Sequence, residues 1–124
     1  MVIVDSSVWI SFFRNDRPTE IPKLLESDSI LTNEVILTEI CPKLLQNNET
    51  EVLKLLFGLE RKKLYTDWPI IRSYQDLNLR NGLNKIGIPD LLILQQIIDQ
   101  NLVLYSFDKH FKLMQEIFDF DLIT

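Results

Sequence analysis

Apolar positions along the chain fall into two kinds of run. Short, unbroken stretches such as Val2-Ile3-Val4 and Leu102-Val103-Leu104-Tyr105 have the all-apolar character of strands buried on both faces. Ser29-Ile30-Leu31, Lys63-Leu64-Tyr65 and Leu122-Ile123 are shorter runs of the same kind. Between them lie longer segments with apolar residues at helical spacing. Ser6 or Ser7 caps a helix to about Asn15, and Thr19–Ser27 carries a second with Pro22 in its first turn. A third starts after Thr32 or Asn33 and runs to about Gln46 through Val35, Ile36, Ile40 and Leu44, with a kink expected at Pro42. Further helices are predicted over Glu49–Glu60, Trp68–Lys85, Pro89 to about Gln100 and Lys109–Phe118. Pro89 suits the first turn of its helix, which puts Asp90 in that turn as well. Strands alternating with helices imply parallel pairing through right-handed crossovers. The expected fold is therefore α/β, a three-layer α/β/α sandwich around a parallel sheet of about four to five strands. No Gly/Ser/Pro-rich linker divides residues 1–124, so a single domain is expected.

Composition narrows the functional classes. Hydrophobic residues make up 46% and charged residues 25%, ordinary for a folded domain. Eighteen acids against thirteen Lys and Arg give a formal charge of −5, which excludes a protein that coats polyanions through general basicity. Any contact with nucleic acid must be local or metal-assisted. The lone Cys41 excludes an intramolecular disulfide and a Cys-rich zinc site, and reads as a small buried residue. No basic leader and no membrane-length apolar run is present, so a cytoplasmic location is expected.

Four acids stand where this scheme brings chemistry together. Asp5 ends the first strand and Asp108 follows the Leu102–Tyr105 strand by three residues. Ligands of open parallel sheets sit beyond those carboxyl ends. Asp90 opens a helix, and Glu39 lies in the apolar stretch of another, where a buried face would demand a partner. Each also has a plainer use as a cap, turn or dipole-favoured residue. As a group they repel: two carboxylates about 6 Å apart at an effective dielectric of about 20 cost about 3 kcal/mol. A hard divalent cation with oxygen ligands relieves this, and Mg²⁺ or Mn²⁺ suits a chain with one His and one Cys.

The stretch Val2-Ile3-Val4-Asp5-Ser6-Ser7-Val8-Trp9-Ile10 resembles the start of PIN-domain nucleases, in particular VapC-type toxins. Leu37-Thr38-Glu39-Ile40, Gly87-Ile88-Pro89-Asp90-Leu91-Leu92-Ile93 and Tyr105-Ser106-Phe107-Asp108-Lys109-His110-Phe111 resemble the family's three later motifs in order and spacing. The resemblance implies metal-dependent cleavage of RNA, with Asp5, Glu39, Asp90 and Asp108 as catalytic metal ligands. It also implies a homodimer and a small antitoxin protein that covers the site. Ser106 matches the small hydroxyl residue that supports the site, with Ser6 beside the first acid as a second support. Arg80 matches a basic residue ahead of a glycine. The chain departs from the pattern at His110, where many members carry a further Asp. It departs also at Leu92-Ile93-Leu94-Gln95, where small residues are common, and at Cys41-Pro42 after Glu39.

Arg80, Lys109, His110 and Arg14 are the candidate RNA contacts, each with a plainer use as a solvated or structural residue. Arg17 shares the choice between RNA, antitoxin and solubility with Arg14. Arg61-Lys62-Lys63 reads as dipole-favoured charge after a helix, and Trp9, Phe12 and Phe13 as core or dimer contacts. A hydrolase with an Asp nucleophile needs a second Asp two residues after Asp5, where Ser7 stands. A phosphoacceptor receiver needs paired acids at the first strand, and only Asp5 is there. The remaining alternative is a non-catalytic PIN-like binding or scaffold module.

Overall fold

The computed structural model describes Met1–Thr124. Five strands and seven helices follow one another as β1 (Val2–Val4), α1 (Ser6–Arg14), α2 (Ile21–Glu26), β2 (Ile30–Thr32), α3 (Glu34–Gln46) and α4 (Thr50–Phe57). Then come β3 (Glu60–Arg61), α5 (Trp68–Arg80), α6 (Ile88–Gln100), β4 (Val103–Tyr105), α7 (Lys109–Met114) and β5 (Asp121–Ile123). All strands pair in parallel, in the order β3-β2-β1-β4-β5. The chain moves one way from β1 to β3 and the other way from β3 to β5. Right-handed crossovers then set α1–α4 against one face and α5–α7 against the other, the expected three-layer sandwich.

The order of strands reverses at β1 and β4, which are neighbours in the sheet. The chain leaves these two strands in opposite directions and opens a crevice at their carboxyl ends. Their register aligns Val4 with Tyr105, so Asp5 and Ser106 emerge side by side. The core beneath joins the strand residues Ile3, Val4, Leu31 and Leu104 to Trp9, Ile36, Ile40, Ile93, Leu94, Ile97 and Phe111 from the helices. Trp9 is wholly buried and stacks on Phe13 at 5.7 Å, which makes it a core residue. Cys41 is buried and free.

Several elements differ from the sequence reading. The third strand is Glu60–Arg61, not Lys63–Tyr65. The carbonyls of Lys62 and Lys63 accept from Gln96 Nε2, that of Lys63 also from Gln100 Nε2, and that of Tyr65 from Gln95 Nε2. Side chains of α6 thus take up the backbone groups that a strand would offer to a neighbour. Helix α5 stops at Arg80, not Lys85. Gly82 adopts φ 81°, and the N–H groups of Gly82 and Leu83 return to the carbonyls of Leu79 and Asn78, a Schellman ending. Helix α7 ends at Met114, not Phe118, and α3 continues through Pro42 to Gln46 without a break. No helix is long and apolar enough to cross a membrane.

Candidate metal centre

Asp5, not Ser6 or Ser7, holds the N-cap position of α1 at the end of β1, without a side-chain capping bond, and its N–H donates to the Tyr105 carbonyl at 2.9 Å. Its side chain is buried, and Oδ2 accepts from the hydroxyls of Ser7 and Ser106, both at 2.8 Å. The same hydroxyls tie down the loop after β4. Ser106 Oγ accepts from the Asp108 N–H at 3.0 Å, and Ser7 Oγ from the Phe107 N–H at 3.0 Å. Two serines therefore fix Asp5 and Asp108 relative to one another. Ser7 is the one functional residue of this frame that the sequence reading left as a helix cap. The signal for it was the step from Asp5 to Ser7, which lets a hydroxyl fold back from the first helical turn onto the strand-end carboxylate.

Asp108 caps α7, with Oδ1 accepting from the His110 N–H at 2.9 Å. His110 Nδ1 lies 3.4 Å from Asp108 Oδ1 and 3.8 Å from Asp90 Oδ2. Asp90 comes from the first turn of α6, where Gly87 and Pro89 set the entry to the helix. One ligand atom each from Asp90, Asp108 and His110 falls within 4.8 Å of the others. Glu39 stands on the exposed side of α3, so its helical face is not the buried one considered from the sequence. It joins the group through Ser6 Oγ, 3.5 Å from Oε2.

The four carboxylates feel one another. Lost hydration, then the charges of Asp108, Asp5 and Glu39, push Asp90 up to about 7. Lost hydration and the charge of Asp5 raise Glu39 above the ordinary carboxylate range, with Asp108 adding to the effect. The remaining candidates fall elsewhere or at the margin. Lys109 is exposed in the first turn of α7, next to the group. Arg80 is held by Asp76 at 2.8 Å, one turn back on α5. Arg14 borders an apolar cleft between α1, α3 and α4, together with Lys43 and Glu49.

This donor set fits a hard cation. Carboxylate oxygens of Asp90 and Asp108 converge with an imidazole nitrogen of His110, and no lysine or arginine makes an ion pair with any of the four acids. His110 adds one imidazole nitrogen, which Mn²⁺ accepts more readily than Mg²⁺.

No curated protein sequence matches this chain. Solved structures share its fold. DNA-bound VapBC from Salmonella typhimurium superposes with a TM-score of 0.75 at 16% identity, covering 98% of this chain and 95% of that one. VapBC-1 from nontypeable Haemophilus influenzae gives 0.74 at 16% identity, over 98% and 96%. VapBC2 from Rickettsia felis, bound to a DNA fragment from its promoter, gives 0.73 at 14% identity, over 98% and 97%. The PIN domain family matches residues 2–117, which takes in β1 to β4 and all four acids. The chain belongs to the PIN domain family.

Proposed function

We propose that this protein is a metal-dependent endoribonuclease, the toxin of a toxin–antitoxin pair. The observation that carries the reading is geometric: ligand atoms of Asp90, Asp108 and His110 lie within 4.8 Å of one another, and Ser7 and Ser106 tie Asp5 to the loop that carries Asp108. Such a group is poorly arranged for stability alone and well arranged to hold Mg²⁺ or Mn²⁺. Asp5, Asp90 and Asp108 would hold the ion, with Glu39 and His110 reaching it directly or through water. When bound, the ion supplies Lewis-acid activation of water and charge compensation at the phosphate. Ser7 and Ser106 keep Asp5 oriented on its buried side, and Asp90 would serve the ion as a carboxylate. No Ser/His/Asp or Cys/His nucleophile arrangement competes with this assignment.

The antitoxin partner is inferred from the VapBC complexes that share the fold, and the homodimer from the resemblance of the sequence motifs to VapC-type toxins. The test is incubation of total cellular RNA with the protein in Mg²⁺ or Mn²⁺, beside Asp5→Asn and a chelator control. Cleavage that both the substitution and the chelator abolish is expected. Absence of cleavage with either ion overturns the nuclease reading in favour of a binding module.

A further inference from the structure

Arg17 lies in the loop between α1 and α2, and its guanidinium carbon sits 3.6 Å from the centre of the Phe107 ring. Phe107 directly precedes Asp108, and its own N–H is held by Ser7, the serine that also bonds Asp5. Phe107 packs edge-on against Tyr105 at 5.5 Å, and the Tyr105 hydroxyl accepts from the Glu20 N–H at 3.0 Å. Both ends of the contact are therefore anchored. The loop is pinned to the end of β4 by Glu20, and the ring is pinned to the carboxylate frame by Ser7.

A guanidinium stacked on an aromatic face keeps its in-plane N–H donors free, and the stack fixes their direction. Arg17 takes part in none of the chain's ion pairs. Arg61 and Arg80, by contrast, are occupied by Glu34 and Asp76. Asp16 and Glu20, the acids of the same loop, leave Arg17 unpaired, Glu20 being turned toward Lys23. An arginine that is exposed, held in place and without a carboxylate, stacked on the residue next to Asp108, has the features of a phosphate clamp.

We propose that Arg17 binds a backbone phosphate of the substrate strand on the β4 side of the carboxylate group, with Phe107 as its platform. The assignment rests on the ribonuclease reading, and of the two arginines at the end of the first helix and just after it, it selects Arg17 over Arg14. Arg17 is a positioning residue: it fixes where the strand lies, not the chemistry at the scissile bond.

The experiment separates this assignment from the reading beneath it. Binding of a fluorescent single-stranded RNA oligonucleotide is measured by anisotropy on the Asp5→Asn background, across a salt series. Cleavage is measured in parallel with Asp5 intact. Arg17→Ala should weaken binding about tenfold, the scale of one charge-assisted hydrogen-bonding group. It should also flatten the salt slope by about 0.7, the value for one lost single-strand phosphate contact. In cleavage it should raise KM with kcat little changed. Arg17→Lys should keep the slope and recover part of the affinity, and Arg14→Ala should leave both unchanged. Cleavage by the unmutated protein, combined with unchanged affinity and slope for Arg17→Ala, overturns the clamp and leaves the nuclease standing. Loss of affinity equal for Arg17→Ala and Arg14→Ala also overturns it, since general charge then accounts for the effect. No binding and no cleavage by the unmutated protein overturns both.

Discussion

A carboxylate buried among apolar residues costs free energy unless donors replace the water it loses. Asp5 meets this condition through Ser7 and Ser106, and each serine has a second bond that passes the constraint to the loop carrying Asp108. Ser106→Ala should therefore do two things at once. It removes a donor to Asp5 and the acceptor for the Asp108 N–H, a loss of about 1–3 kcal/mol that urea denaturation can measure. It should also lower cation affinity about 10–100-fold, the usual effect of removing a group that orients a ligand, as read by calorimetric titration. Asp5→Asn keeps the side chain's shape and removes its charge. Cleavage should fall by at least about 100-fold, with the circular dichroism spectrum retained. Glu34→Gln is the matched control five residues before Glu39 in the same helix. It breaks an exposed pair with Arg61 at 3.0 Å, worth at most about 1 kcal/mol, and should leave cleavage unchanged.

At the scale of elements, one polar chain joins the helices that carry the acids. Asn33 caps α3 by accepting from the Ile36 N–H at 2.9 Å, and its Nδ2 donates to Gln96 Oε1 on α6 at 2.7 Å. Gln96 in turn donates to the Lys62 carbonyl beyond β3. The helix of Glu39, the helix of Asp90 and the edge of the sheet are thus fixed through two wholly buried amides. Asn33→Ala removes the cap and leaves Gln96 Oε1 without its partner. The expected destabilisation is about 2–3 kcal/mol by denaturant unfolding, more than the roughly 1 kcal/mol of a cap alone. This network also explains which parts of the fold could be read along the chain. The apolar runs of β1 and β4 and the Pro89 start of α6 are local signals, and they located Asp5, Asp90 and Asp108 at one edge. The position of β3 was not local. Lys63-Leu64-Tyr65 looks strand-like until Gln95, Gln96 and Gln100, some thirty residues on, claim the carbonyls of Lys63 and Tyr65. Nor could the sequence separate Arg14 from Arg17, which are three residues apart. Only the packing of Phe107 under one of them makes the distinction.

For the molecule as a whole, the carboxylate group links proton, cation and fold. Asp90 ionises near 3.8 when unfolded and at about 7 in the folded protein. Between those values the folded state holds more protons than the unfolded one, so stability falls as pH rises through the window and reaches its low plateau above about 7. Each unit is worth about 1.4 kcal/mol, so the loss is of the order of a few kcal/mol. Glu39, raised by burial and by Asp5, adds in the same direction. A divalent cation reverses the sign of the interaction, because it compensates the ionised carboxylates and must displace the Asp90 proton to bind. The increase in Tm on adding Mn²⁺ or Mg²⁺ should therefore be large at about pH 8 and small at about pH 5, where protons hold the site. In chelator, Asp90→Asn should flatten the pH dependence and raise Tm above pH 7, while abolishing most of the cation effect. A cation-induced shift in Tm of equal size at both pH values, or a chelated Asp90→Asn variant no more stable than its parent at about pH 8, would remove the electrostatic basis of the site. The same arithmetic bears on the substrate. A chain with a formal charge of −5 gains further attraction for phosphate when the site is loaded, so affinity for single-stranded RNA should rise with the cation, while random duplex DNA stays weakly bound.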